Sequence, residues 1–194
     1  MSLPDNPALR MPPIARELMS DAQRAAADEL IAGPRKAVKG PFLALLRSPE
    51  LMSRLQKLGE FLRFHASLPS RASEFATLVV ARQWTQQFEW FTHVPLALQA
   101  GTSPETISAL QQGSRPATMS AQEATVYDFI TELAVNKGVS DARYRECVDC
   151  IGEAGLIELT SLAGYFVLMS MVLNVAGIPA DTVDGVEALP ALPR

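Results

Sequence analysis

In the stretch QQFEWFTHVPLALQAG, Gln86 to Gly101, Glu89 and His93 stand four residues apart, interleaved with Phe88, Trp90 and Phe91. On a helix that spacing puts both side chains on one face, one turn apart. A carboxylate so placed holds the imidazole in one tautomer and favours its protonated form, giving an acid/base pair for proton transfer near neutral pH. The same spacing is common in surface ion pairs on ordinary helices. The aromatic neighbours shift the reading toward a site, because they lower the local polarity.

Glu74 supplies a second acid on the preceding apolar segment, EFATLVVARQW. In one straight helix it would sit on the order of 22 Å from Glu89, too far to cooperate. It joins the pair if the chain breaks between Val80 and Gln86, with Thr85 as a new cap, or if another subunit supplies it. Arg71 and Arg82 are candidate anchors for a substrate carboxylate, since a guanidinium binds that group in two-pronged fashion. Trp84, Trp90 and Tyr165 are candidates for an apolar wall.

Other chemistries find less support. Cys147 and Cys150 form a CxxC, whose thiols would be redox active if their pKa were lowered. The acids Glu146, Asp149 and Glu153 work against that, and Arg143 and Arg145 for it. The expected state is two packed thiols. His65 is the only other histidine and there is no HExxH, so no metal is expected, although Glu74, Glu89 and His93 are chemically able to hold one. Neither a glycine-rich phosphate loop nor a GxSxG is present, and no organic cofactor is expected.

Helices must position these residues. Asp21 to Ala32 is rich in alanine and straight-chain residues and stops at Gly33-Pro34. After the basic loop GPRKAVKGPF, a second helix begins at Pro49 and repeats Leu51, Leu55, Leu58 and Leu62 at helical spacing. Ser70 is the expected cap of the helix carrying Glu74, which places that acid near its first turn. Ser103 before Pro104 caps a short helix. Ala121 to Val135 and Asp141 to Ile151 are two more, split by Asn136-Lys137-Gly138. The run Leu159 to Ala176 reads as a helix buried on all sides, in a soluble core or assembly rather than a membrane, because it holds polar residues and has no basic flank. No segment alternates as a strand does.

The expected fold is therefore all-α, in one domain over residues 41–180, with an N-terminal arm and helix over 1–40 and a C-terminal tail over 181–194. At 194 residues, 48% hydrophobic and 20% charged, the chain fits one globular domain. A net charge of -4 argues against nucleic acid as a partner. The proline-rich, acid-bearing N-terminus has no signal-peptide pattern, so the expected location is cytoplasmic.

The order Glu74, Gln86, Glu89, His93 resembles the active-site motif of the carboxymuconolactone decarboxylase and alkylhydroperoxidase D superfamily. EWFTHVPLALQAG is similar to its decarboxylase-like branch, and GPFLALLRSPEL and IGEAGLIELTSLAGYF extend the resemblance over most of Gly40 to Pro179. The peroxidase branch carries cysteines where this chain has Gln86 and Glu89, so thiol peroxidase activity is not expected. The resemblance implies an alkylhydroperoxidase D-like helical fold assembled as trimers or hexamers, with sites near subunit contacts. It also implies a cofactor-independent decarboxylation of a small carboxylated lactone to an enol-lactone, with His93 supplying the proton and Glu89 orienting it. Two other readings stand beside it: a thiol redox protein using Cys147 and Cys150, and a non-catalytic oligomeric binding protein.

Overall fold

A computed structural model of the chain describes residues 9–190, and these are all-helical, without a strand. After a short 3-10 turn at Arg16–Leu18, eight α-helices follow: α1 Asp21–Ala32, α2 Pro41–Leu45, α3 Pro49–Phe64, α4 Ser70–Gln83, α5 Gln87–Gln99, α6 Pro104–Gln111, α7 Ala121–Asn136 and α8 Asp141–Ala176.

Local chemistry explains most boundaries. Ser20 with Gln23 and Ser120 with Glu123 form reciprocal capping boxes at α1 and α7, and Ser103 and Ser140 cap α6 and α8. The expected cap at Ser70 is displaced: Pro69 is the cap and Ser70 the first helical residue, which places Glu74 beyond the first turn.

The helix buried nearly all round is α4, where every residue from Phe75 to Arg82 is buried among α5, α7 and α8. The apolar run EFATLVVARQW in the sequence already points to this burial. The run Leu159 to Ala176, expected to be enclosed on every side, instead forms the second half of α8 and leaves Leu168, Met171 and Val175 exposed. By length and composition α8 could cross a membrane, with half of its most apolar window buried. The helix expected to end at Ile151 joins this run across a kink at Gly152, whose φ of 74° suits glycine. On α3 the inward residues are Met52, Gln56, Gly59 and Leu62, so the leucine spacing is half misleading: Leu51 and Leu58 face out.

Both ends of the described residues fold back onto this bundle. Ala26, Ala27 and Leu30 of α1 belong to the core, and the backbone amides of Arg10 and Met11 donate to the Ala176 carbonyl. Past Ile178, the chain runs along α4 and α5. Arg82, Gln87, Trp90 and Gln111 donate to the backbone carbonyls of Pro190, Leu189, Glu187 and Ala188, respectively.

Candidate active site

The break that Glu74 needs falls between α4 and α5. Thr85 adopts a left-handed conformation at φ 46°, and Gln86, not Thr85, caps α5 by accepting from the Phe88 amide at 2.8 Å. The other end of the Gln86 amide donates to the Asn174 side chain at 2.7 Å, which ties the cap to α8. The chain thus doubles back, and α4 packs along α5.

This fold-back brings Glu74, Glu89 and His93 of one chain together. His93 Nδ1 lies 2.6 Å from Glu74 Oε2, and its Nε2 lies 3.5 Å from Glu89 Oε2. The short contact is therefore with the sequence-distant Glu74, not with the helical neighbour Glu89. The side chains of His93, Glu89 and Glu74 are 2%, 5% and 15% exposed. The Phe166 ring meets the imidazole edge-on at a centroid distance of 5.1 Å. A charged imidazolium carries a proton on each nitrogen, so it serves both carboxylates at once.

Electrostatics agree with that state. Burial pushes the His93 pKa down, but the hydrogen bond to Glu74 and the nearby Glu89 carboxylate outweigh it and leave the pKa above the ordinary value. Burial pushes the Glu74 pKa up, and His93 more than reverses this, so that carboxyl titrates below its usual range.

A cavity of about 350 Å³ opens against the pair. Glu89 and His93 line it, whereas Glu74 stands behind His93, outside the lining. Phe88 and Phe91 of α5, Tyr165, Phe166 and Met169 of α8, and Phe42 of α2 make an apolar wall. Arg35 and Lys39 from the basic loop, Arg63 from α3, and Asp181 from the C-terminal segment bring the charge.

Of the expected substrate contacts, only Tyr165 lies in this lining. Arg71 is occupied elsewhere: its Nε and Nη2 donate to the two oxygens of the fully buried Glu123, at 3.0 and 2.9 Å, joining α4 to α7. Arg82 is buried and holds the Pro190 carbonyl. Trp90 is a core residue whose indole nitrogen donates to Glu187, and Trp84 packs on the core at the end of α4. Both arginines lie on α4, turned to structural partners, so the cations at the cavity are Arg35, Lys39 and Arg63 instead. The one sequence signal for Arg35 and Lys39 is the run of basic residues without an acid in GPRKAVKGPF, and Arg63 on α3 has none.

The two cysteines part company. Cys147 is buried and Cys150 exposed. Burial pushes the Cys147 thiol up to about 11, away from nucleophilic chemistry. Among the described residues no cluster of three or more histidine, cysteine or acidic side chains is arranged to hold a metal ion. Comparison with known proteins finds no family model and no curated protein that matches the chain.

Proposed function

We propose that this protein is a cofactor-independent acid/base enzyme that decarboxylates a small carboxylated lactone or ring compound, in the manner of the carboxymuconolactone decarboxylases it resembles. The observation that carries this reading is a buried imidazole with a carboxylate at each nitrogen, set in the wall of an apolar, cation-bearing cavity. Such a cavity suits a small organic anion, and about 150 Å³ already holds a benzene ring.

In this reading the substrate's carboxylate leaves as carbon dioxide, and the electron pair of the broken carbon–carbon bond moves into the conjugated ring. His93 then gives its Nε2 proton to carbon. The other proton stays on Nδ1, donated to Glu74, which fixes the neutral tautomer left behind. Glu89 keeps the Nε2–H directed along the cavity wall between turnovers, and solvent restores the proton. Burial by Phe88, Phe91 and Phe166 strengthens these interactions by keeping bulk water away.

The same reading takes the bundle as an alkylhydroperoxidase D-like fold working as a trimer or hexamer in the cytoplasm. Support for assembly comes from the apolar side chains of Leu168, Met171 and Val175, which one chain leaves uncovered.

The deciding experiment follows 4-carboxymuconolactone by its ultraviolet absorbance, with wild type beside His93→Gln, both checked by circular dichroism and light scattering. Consumption by wild type, reduced at least a hundredfold in the variant, is the expected result. Equal rates for the two proteins, or no consumption by either, would overturn the reaction.

A further inference from the structure

We infer that Arg35 and Arg63 form a clamp for a second carboxylate on the substrate, the one retained in the product. This rests on the acid/base reading above, and it locates the part of the site that selects the substrate.

Both guanidinium groups line the cavity that His93 and Glu89 face. Among the described residues, neither has a carboxylate within ion-pair distance, whereas Arg16, Arg71, Arg115 and Arg143 all do. The Nε of Arg63 is buried and has no hydrogen-bond partner. A donor in that condition costs free energy until an acceptor reaches it.

Arg35 is held ready from three sides. Its Nη1 donates to the Gln56 carbonyl at 3.2 Å, and its guanidinium lies over the Phe42 ring at 5.0 Å. On the third side, Gly59 leaves the space in which the Tyr165 hydroxyl and Arg35 Nη2 approach α3; a Cβ there would collide with both. Arg63 is near enough to bear electrostatically on Arg35, Glu74, His93 and Tyr165. Two guanidinium groups at one cavity repel each other, and an oxyanion between them converts that repulsion into two charge-assisted contacts.

The occupant is a carboxylate on a small ring. The fork of a guanidinium matches that planar group, and Phe88, Phe91 and Phe166 offer the ring an apolar wall. It is also the group that stays behind. Ion pairing stabilises a carboxylate most while it still holds its charge, so gripping the departing one would raise the barrier. Binding energy at Arg35 and Arg63 is more effective on a carboxylate whose charge does not change.

Benzoate tests this without turnover, because it presents a ring and a carboxylate but lacks the lactone. Isothermal titration of the full chain compares benzoate with neutral benzamide on wild type, Arg35→Gln, Arg63→Gln, the double variant and the surface control Arg54→Gln. The expected outcome is binding of benzoate at least tenfold tighter than benzamide, with about tenfold loss in each single variant, greater loss in the double, and none in the control. If Arg35→Gln fails to fold, Arg63→Gln alone decides. Equal binding of benzamide, a double variant within twofold of wild type, or no benzoate binding at millimolar concentration would overturn the clamp. The lactone assay judges the reaction separately, so a working clamp with no lactone turnover would reject only the decarboxylation.

Discussion

Glu74 Oε2 approaches His93 Nδ1 to 2.6 Å across nineteen residues of chain, closer than the 3.5 Å between Glu89 and Nε2 one helical turn away. The two carboxylates therefore hold the imidazolium unequally. Nuclear magnetic resonance titration of His93 is expected to give a pKa above the ordinary value, lowered by both Glu74→Gln and Glu89→Gln and more by the first. The reverse order would make Glu89 the dominant partner and overturn this assignment.

Stability should depend on pH in a defined window. A raised His93 pKa contributes stability that is complete below its unfolded value of 6.5 and disappears as pH rises through the folded value. The lowered Glu74 pKa contributes stability that is complete above 4.5 and disappears as pH falls through the folded value. The advantage of wild type over His93→Gln in urea unfolding is thus expected to peak between pH 4.5 and 6.5, at about 3 kcal/mol. A difference that is flat from pH 3 to 9 would refute the coupling.

Thr85 holds a φ of 46° in the turn between α4 and α5, a conformation that a β-branched residue adopts at a cost of roughly 1–2 kcal/mol. Replacing it with glycine removes that cost. Thr85→Gly is expected to raise the melting temperature by about 2–4 °C while leaving the cap at Gln86 in place. A lower melting temperature would show that the Thr85 side chain supports the turn.

The thiols should differ in reactivity. At pH 8, a chromogenic disulfide reagent is expected to modify Cys150 quickly in the folded protein and Cys147 only on unfolding, since Cys147 is buried with its thiol pushed up to about 11. Rapid reaction of both would restore the redox reading.

Much of this was legible in the sequence because it is local. The Ser103-Pro104 pair marks the start of α6, alanine content marks α1, and the expected starts of α7 at Ala121 and α8 at Asp141 match, although α8 runs on past Ile151 to Ala176. The four-residue spacing of Glu89 and His93 likewise places them on one face, and distance alone requires either a break before Gln86 or a Glu74 from another subunit. What was not legible is which side chains tertiary packing had already occupied. Arg71 looks available in sequence until the buried Glu123, 52 residues away, takes its guanidinium. Arg35 and Arg63 carry no motif, and only the packing of α3 and the basic loop against α8 turns them to His93. The exposed face of α8 was misjudged for a related reason: hydropathy measures how apolar a segment is, not how many neighbours surround it.

The C-terminal segment gives the site an order of assembly. Glu74 and His93 close a loop of 19 residues, whereas the bonds that hold the segment carrying Asp181 and Val183 span 77 to 108. By chain entropy alone, closing the longer loops costs roughly 1.5 kcal/mol more. A helical hairpin can therefore align the proton-transferring pair before the pocket walls from α8, the basic loop and the C-terminal segment close around it.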